Sequence, residues 1–183
     1  HLLGTQALRQ ATNSDYFQEQ VQRRLGWQLK IISGDREAYL SCRGALSAMP
    51  DLKQAAVLDI GGGSTEIMLA IGGEVAGAST PIGCLRLLEA PMCDAEIKKA
   101  LLKGWSDIRI PANSTLVGVG GTATTLGAIF LEMAVYDGDA LAKCRLSRAG
   151  VQSVLEHIEG LSLSERLKLP GMLAGREDVM PYG

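Results

Sequence analysis

A glycine-rich loop between two apolar runs is the feature that most constrains how this chain can fold. The stretch VLDIGGGSTEIMLAIGG spans residues 57–73, and the runs on both sides of the loop have the apolar composition of β-strands. Two residues would be enough to turn such a pair of strands into a hairpin. The loop instead holds three glycines, a serine and a threonine between Asp59 and Glu66. It therefore contains more glycine than turning the chain requires.

Strand and helix patterns alternate along the rest of the chain, which is typical of the α/β class. Strands are predicted over residues 2–4, 27–32, 57–60, 66–71, 74–82 and 115–119. Helices are predicted from 13 or 14 to about 25, over 35–49, 85–89, 94–105, 122–133, 148–159 and 164–169, and from a start near Arg176.

Composition narrows the possible classes of protein. The 183 residues are enough for one large domain or two small lobes, and a hydrophobic content of 46% is that of a globular protein. The net charge of −2 argues against binding nucleic acid or other polyanions through overall charge, so an anion site must be local. Four widely spaced cysteines without a CxxC pair argue against zinc and favour a reducing, cytoplasmic location. No apolar run approaches the length of a membrane span.

The loop from Asp59 to Glu66 is suited to a phosphate group. Glycines allow backbone N–H groups to point into one concavity, and Ser64 and Thr65 add hydroxyl donors. The two carboxylates would repel a phosphate unless a cation lay between them, so the arrangement implies Mg²⁺. The alternative is a glycine-rich hairpin in which Asp59 caps the turn, and spacing alone does not separate the two.

A second glycine loop follows the strand predicted over 115–119. Gly120 and Gly121 precede a helix that opens at Thr122, and the free N–H groups of a helix N-terminus form an anion site. Close packing of strand and helix is the alternative, and it would by itself explain Gly118. The sequence matches neither a Walker P-loop nor GxGxxG.

Glu37 is a third candidate, in the first turns of the helix predicted over 35–49. A glutamate beside a phosphate site can orient or deprotonate a water molecule. Without other context, a first-turn acid that complements the helix dipole is the more ordinary interpretation.

Short motifs spread over essentially the whole chain resemble those of the exopolyphosphatase/guanosine pentaphosphate phosphohydrolase (Ppx/GppA) family. Several motifs in order are far more specific than any one of them. They are DIGGGSTE at 59–66, TQALRQATN at 5–13, ISGDREA at 32–38, PIGCLRL at 81–87, GGTATTL at 120–126, and LPG at 169–171 with REDV at 176–179.

The resemblance implies the fold and the roles of several residues. It implies an actin/Hsp70/sugar-kinase-like (ribonuclease H-like) lobe with a mixed sheet flanked by helices. Residues 1–50 would be the C-terminal part of a first lobe and 51–183 a second lobe carrying both loops. Glu37 would be the catalytic base, and Asp59 and Glu66 would be catalytic and hold Mg²⁺. Phosphate or substrate would bind Arg9, Gly61, Gly62, Gly63, Ser64, Thr65, Gly120, Gly121, Thr122 and Arg176.

The function implied by the resemblance is the release of terminal phosphate from inorganic polyphosphate by Mg²⁺-dependent attack of water. The open alternatives are hydrolysis of the 5′-terminal phosphate of guanosine pentaphosphate (pppGpp), and a module that binds (p)ppGpp without cleaving it. A sugar-kinase-type ATPase would share the fold, but no phosphoacceptor base is recognisable. We expect no membrane partner, and pairing of two copies as a homodimer is a further expectation.

The sequence also departs from the family pattern. The DxGSNSxR strand and turn of the family's first lobe is missing, so we expect a fragment without the N-terminal phosphate loop and with weak or no activity in isolation. Gln6 stands where the family's TSALR segment has serine, and Arg36 stands at an acidic position of its ISGxEEA run. We expect Arg36 to be a surface charge.

Overall fold

The computed structural model describes residues 2–49, 51–52 and 54–183. Its contacts divide the chain into two compact units. The first comprises His1–Leu58, Glu66–Pro81 and Lys99–Val117, and the second comprises Asp59–Thr65, Ile82–Lys98 and Gly118–Gly183. These units are groups of contacts within this chain, whereas the predicted lobes belong to a whole family member. The predicted lobe boundary at residue 50 therefore stays a prediction.

The first unit begins with a small parallel sheet and three helices. Strand β1 (Leu2–Gly4) pairs with β2 (Leu29–Ile31) in the register Leu2↔Leu29 to Gly4↔Ile31. Helix α2 ends at Gly26, whose φ of 69° is the left-handed conformation that glycine adopts readily. The Ser33 side chain caps α3 by accepting a hydrogen bond from the Arg36 N–H. The elements are β1 (Leu2–Gly4), α1 (Gln6–Gln10), α2 (Ser14–Leu25), β2 (Leu29–Ile31) and α3 (Gly34–Ser47).

A mixed four-stranded sheet follows, with the strand order β5-β4-β3-β6. The strands are β3 (Gln54–Ile60), β4 (Thr65–Ile71), β5 (Glu74–Thr80) and β6 (Thr115–Val119). Gly72 and Gly73, with φ of 58° and 92°, turn β4 into β5. Runs of buried residues in β3 and β4, such as Ala55–Val57, supply the sheet's apolar interior. Helix α3 packs against β5 within the first unit.

The remaining elements are helical. They are α4 (Cys84–Glu89), α5 (Asp94–Gly104), α6 (Gly120–Phe130), α7 (Gly138–Lys143), α8 (Arg148–Glu159), α9 (Leu163–Arg166) and a 3-10 helix, Met180–Tyr182. In the second unit, Ile129 of α6, Val154 and Ile158 of α8, and Met180 form a buried apolar cluster. Within the described residues, no helix is long and apolar enough to cross a bilayer.

The predicted strand over 115–119 and helix over 148–159 match β6 and α8 at both ends. The strand predicted over 27–32 is longer than the observed β2, which spans Leu29–Ile31. Two short helices, α1 and α7, were not predicted. The helix predicted to start near Arg176 is wrong, because turns fill that stretch until the 3-10 helix at Met180. The α/β fold class is confirmed.

Candidate functional site

The first glycine loop lies against the start of helix α4 in the second unit. The Cys84 N–H donates to the Gly61 carbonyl at 3.0 Å. The N–H groups of Leu85 and Arg86 both donate to the Gly62 carbonyl, at 3.0 and 3.2 Å. The Gly63 carbonyl accepts a 2.7 Å hydrogen bond from Nε of Arg86. Three successive carbonyls of the loop are therefore held by one short helix.

This arrangement sets the direction of the loop's N–H groups. The described chain has no cis peptide bond, and in a trans peptide the C=O of one residue and the N–H of the next point in opposite directions. Since the carbonyls of Gly61, Gly62 and Gly63 face α4, the N–H groups of Gly62, Gly63 and Ser64 face away from it. None of these three N–H groups donates to another residue in the part of the chain that the structure describes. We call residues 61–64 the glycine cradle.

Close approach of α4 leaves little room for a side chain at two positions of this contact. A Cβ on Gly62 would lie 2.7 Å from Cδ1 of Leu85. A Cβ on Gly83 would lie 2.5 Å from the Gly61 oxygen and from the Gly62 carbonyl carbon, so α4 also needs glycine at its start. Positive φ is not the reason: Gly61 and Gly62 are not among the described glycines that adopt it.

The second glycine loop adjoins Asp59 within the same unit. Gly120 has a φ of 75°, and a Cβ there would collide with Oδ1 of Asp59. A Cβ on Gly121 would collide with the guanidinium of Arg176. The structure therefore places the Arg176 charge at the first turn of α6, and contact of Arg176 with an anion stays a prediction. Gly118 fits the packing alternative, since a Cβ there would lie 2.8 Å from that of Ala123.

Thr65 and Thr122, two of the predicted phosphate-binding residues, donate their side-chain hydroxyls to backbone carbonyls in this structure. The Thr65 hydroxyl donates to the Ile82 carbonyl at 2.7 Å, and the Thr122 hydroxyl donates to the Ile60 carbonyl at 2.9 Å. Both threonines are buried. Their hydroxyl hydrogens are thus engaged by backbone, and contact of either residue with phosphate stays a prediction. Ser64, also buried, lies at the end of the cradle.

Glu37 belongs to a hydrogen-bonded group in the first unit. Nη1 of Arg9 donates to Oε2 of Glu37 and to the Ile32 carbonyl, each at 2.8 Å. Nε and Nη2 of Arg9 both donate to Oε1 of Gln6, at 3.1 and 2.7 Å. We call these four residues the Glu37 cluster. Arg9 and Glu37 are half-buried, with side chains 19% and 24% exposed.

Glu66 lies close to this cluster through β5 and the start of α3. Its side chain is buried, and its Oε1 accepts a 2.6 Å hydrogen bond from the Ser79 hydroxyl. A Cβ on Gly34 would lie 3.1 Å from that hydroxyl oxygen and 3.8 Å from Nη2 of Arg9. The absence of a side chain at Gly34 therefore lets the start of α3 lie against Ser79.

The structure shifts the pKa values of one thiol and two carboxyl groups that were not among the predicted site residues. Burial raises the pKa of the Cys42 thiol in α3. The backbone N–H of Cys93 lowers the pKa of Glu96, and the Ser162 hydroxyl lowers the pKa of Glu165. The two glutamates lie in the first turns of α5 and α9, where hydrogen bonds to the preceding residues hold the ionised form.

The described residues contain no group of three or more His, Cys, Asp and Glu side chains that could hold a metal ion. A complete protein cage is not what Mg²⁺ requires, because it commonly binds one or two carboxylates together with waters and phosphate oxygens. Asp59 and Glu66 supply carboxylates of that type, and Ser79 orients that of Glu66. The donor chemistry fits the predicted ion.

The predicted site residues fall into two sets, one in each unit. The first unit brings together Arg9 and Glu37, with Glu66 nearby. The second holds Asp59, the glycine cradle, Thr65, Gly120, Gly121, Thr122 and Arg176. Sequence reasoning gave no role to Arg86 or Gly83, although both lie in the quoted PIGCLRL motif, and it noted Gln6 only as a departure. No motif in the sequence analysis pointed to Ser79.

Comparisons with known proteins identify the family to which the chain belongs. A model of the Ppx/GppA phosphatase family matches residues 1–183, and the chain belongs to this family. An exopolyphosphatase 2 from Mycobacterium tuberculosis is 33% identical over 200 residues, covering 100% of this chain and 63% of that protein. A guanosine-5′-triphosphate,3′-diphosphate pyrophosphatase from Vibrio vulnificus is 30% identical over 192 residues, covering 94% of this chain and 38% of that protein.

The crystal structure of a Ppx/GppA family member from Aquifex aeolicus superposes with a TM-score of 0.81 at 28% identity, covering 99% of this chain and 62% of that one. The chain thus spans less than two thirds of the length of these relatives. Its family is one of phosphatases, and the actin-like fold of the family is the fold of this chain.

Proposed function

We propose that the full-length protein carrying this chain releases terminal phosphate from inorganic polyphosphate by Mg²⁺-dependent attack of water. The observation that carries the proposal is the glycine cradle, in which α4 turns three successive N–H groups to one side. Such a concave set of N–H groups binds an anion such as a phosphoryl group. Cleaving a phosphoanhydride needs positioning and charge neutralisation more than covalent catalysis. The candidate residues are hydrogen-bond donors and charged side chains, which can serve both purposes.

The residues of the second unit would hold the phosphate. The N–H groups of Gly62, Gly63 and Ser64 would donate to the oxygens of one phosphoryl group. The first turn of α6, with Gly121 and Thr122, and the guanidinium of Arg176 beside it add positive potential. Fixed donors of this kind stabilise the charge on the transferred group without having to reorganise during the reaction.

Glu37 would take the proton of the attacking water. Arg9 occupies Oε2, while Oε1 accepts no hydrogen bond from the described residues. A carboxylate fixed at one oxygen and available at the other can orient a water molecule and accept its proton. The observed contacts of Arg9 are those of a residue that holds Glu37 in place; its predicted contact with substrate stays a prediction.

Mg²⁺ is part of the proposal, with Asp59 and Glu66 as its protein ligands. When bound, the ion would neutralise charge on the phosphate oxygens and allow two carboxylates to lie near an anion. The four cysteines are free thiols, in keeping with the reducing cytoplasm in which we place the protein. Pairing of two copies stays a prediction.

The test is phosphate release by the full-length protein, with Mg²⁺, on polyphosphate of several lengths and on pppGpp in parallel. We expect release from polyphosphate and, in Glu37→Gln, a fall in kcat of about 10²–10⁴-fold with binding retained. Glu19→Gln is the matched control, because Glu19 also pairs with an arginine, Arg23, at 2.7 Å, but on an exposed helix face. An unchanged rate in Glu37→Gln would show that Glu37 is not the base.

A second candidate is the cleavage of pppGpp, favoured by the similarity to the Vibrio vulnificus pyrophosphatase. Release from pppGpp alone would assign this activity instead. Tight binding of (p)ppGpp without any release would replace both activities with a binding module. Absence of release and of binding would refute the proposal as a whole.

A further inference from the structure

The three carbonyls of the glycine cradle are not held in the same way. Those of Gly61 and Gly62 accept hydrogen bonds from backbone N–H groups of α4, which nearly any residue there would supply. The Gly63 carbonyl accepts its bond, in the described part of the chain, from a side chain: Nε of Arg86, at 2.7 Å. The orientation of the peptide between Gly63 and Ser64 therefore depends on the identity of a single residue.

The Arg86 side chain is half-buried, and one end of its guanidinium is enclosed by protein. Its Nη2 is buried and has no hydrogen-bond partner among the described residues. An arginine is always ionised, so Arg86 places a positive charge on the α4 side of the cradle. Charges interact more strongly where water is excluded, so an anion on the opposite face of the cradle would be stabilised by this guanidinium without touching it.

We propose that Arg86 is a positioning residue that aims the Ser64 N–H at the bound phosphoryl group by holding the Gly63 carbonyl. Because C=O and N–H are opposed in a trans peptide, a Gly63 carbonyl released from Arg86 lets the Ser64 N–H rotate away from the N–H groups of Gly62 and Gly63. This role rests on the proposed function of the cradle. It predicts that replacing Arg86 removes the Ser64 N–H as a donor to phosphate, while the N–H groups of Gly62 and Gly63 remain.

Backbone NMR of the full-length protein, titrated with inorganic phosphate, tests the role without any reaction. In the wild type, the ¹H–¹⁵N signals of Gly62, Gly63 and Ser64 all shift. In Arg86→Met the Ser64 shift is lost, while those of Gly62 and Gly63 persist with weaker binding. An equal Ser64 response in Arg86→Met overturns the proposal, as does a wild type in which none of the three signals responds.

Phosphate release provides a second readout. We expect Arg86→Met to lower kcat by about 10- to 100-fold, less than the 10²–10³-fold typical of deleting a transition-state donor outright, with KM changed by less than about threefold. Arg86→Lys keeps the charge and one donor, so its kcat lies between those of Arg86→Met and the wild type. Arg145→Met is the matched control, because Arg145 also donates to backbone carbonyls, of Ala142 and Cys144, away from the cradle.

The outcomes separate this role from a merely structural one and from the proposed function. A lower melting temperature with unchanged kcat in Arg86→Met assigns Arg86 to stability and overturns the role. If Arg86→Met does not fold, Arg86→Lys replaces it, and an unaltered Ser64 signal and kcat there overturn the proposal. A wild type that releases no phosphate, yet loses its Ser64 response in Arg86→Met, refutes the hydrolase and supports the role of Arg86.

Discussion

The Glu37 cluster of the first unit is held mainly by hydrogen bonds between side chains. The glycine cradle of the second unit is held mainly by hydrogen bonds between backbone groups. Arg9 connects Glu37, Ile32 and Gln6 through four hydrogen bonds from its guanidinium. In the cradle, the main contacts join carbonyls to the N–H groups of α4, and a Cβ on Gly83 would collide with the backbone of the cradle. Glutamate and arginine can swing about several bonds, while the cradle moves only if the chain itself moves.

The difference teaches how each region should respond to change. Deleting side chains should loosen the Glu37 cluster with little effect on the fold, because it lies at a partly exposed surface. Adding a methyl group should damage the cradle, because backbone atoms in contact have little room to relax. The substitutions below probe these opposite sensitivities.

The largest effect is expected from Gly83→Ala. Its Cβ would lie 2.5 Å from the Gly61 oxygen, against backbone rather than a movable side-chain tip. We expect a loss of stability of about 1–3 kcal/mol, as for other overpacked sites, and a fall in kcat of about 10²-fold from misplaced donors. Thermal unfolding and phosphate release of the full-length protein measure the two effects. Wild-type values for both would show that the cradle is not held by close packing.

A smaller effect is expected from Gln6→Ala, which removes the acceptor of two Arg9 hydrogen bonds. Arg9 then holds Glu37 less firmly, and we expect kcat to fall by about tenfold, equivalent to about 1.4 kcal/mol, with little change in the melting temperature. Gln20→Ala is the matched control, because Gln20 accepts a hydrogen bond from Arg24 in exposed positions of α2. Equal kcat values for the two variants would argue that the Glu37 cluster does not act as a unit.

Gly34→Ala tests the junction between Glu37 and Glu66. The added Cβ would lie 3.1 Å from the Ser79 hydroxyl oxygen, which can move by a few tenths of an ångström. We expect kcat to fall only a few-fold, on the order of 1 kcal/mol or less in barrier height, with stability nearly unchanged because alanine favours the helix. A fall as large as that of Gly83→Ala would remove the contrast between the two regions.

The smallest effect on activity is expected from Gly44→Ala, in the interior of α3. A Cβ at this position meets no atom within 4 Å. The substitution should stabilise the protein by about 0.5–1 kcal/mol through helix propensity and leave kcat unchanged. Chemical denaturation checks the first value and phosphate release the second. Destabilisation by Gly44→Ala would indicate that replacing a glycine is harmful even where the added Cβ meets no atom. Close contacts would then not explain the effects at Gly34 and Gly83.

Much of the fold was predictable because its signals are local. β6 and α8 match their predicted bounds since apolar periodicity and caps such as Ser147 lie within the segments themselves. The helices α1 and α7 have five and six residues, too few for a periodic pattern to emerge. The helix expected near Arg176 also came from a local pattern, and it was wrong because turns fill that stretch until the 3-10 helix at Met180.

The sequence by itself determined the family and the α/β class and supplied the candidate residues for binding phosphate, because motif, composition and periodicity are written in residue order. The tertiary structure decided how these residues are held. The direction of the cradle's N–H groups depends on α4, more than twenty residues further along the chain. The pairing of Arg9 with Glu37 joins residues that are 28 positions apart in sequence. Hydrogen bonds and close contacts between distant segments set such geometry, and they exist only once the chain has folded.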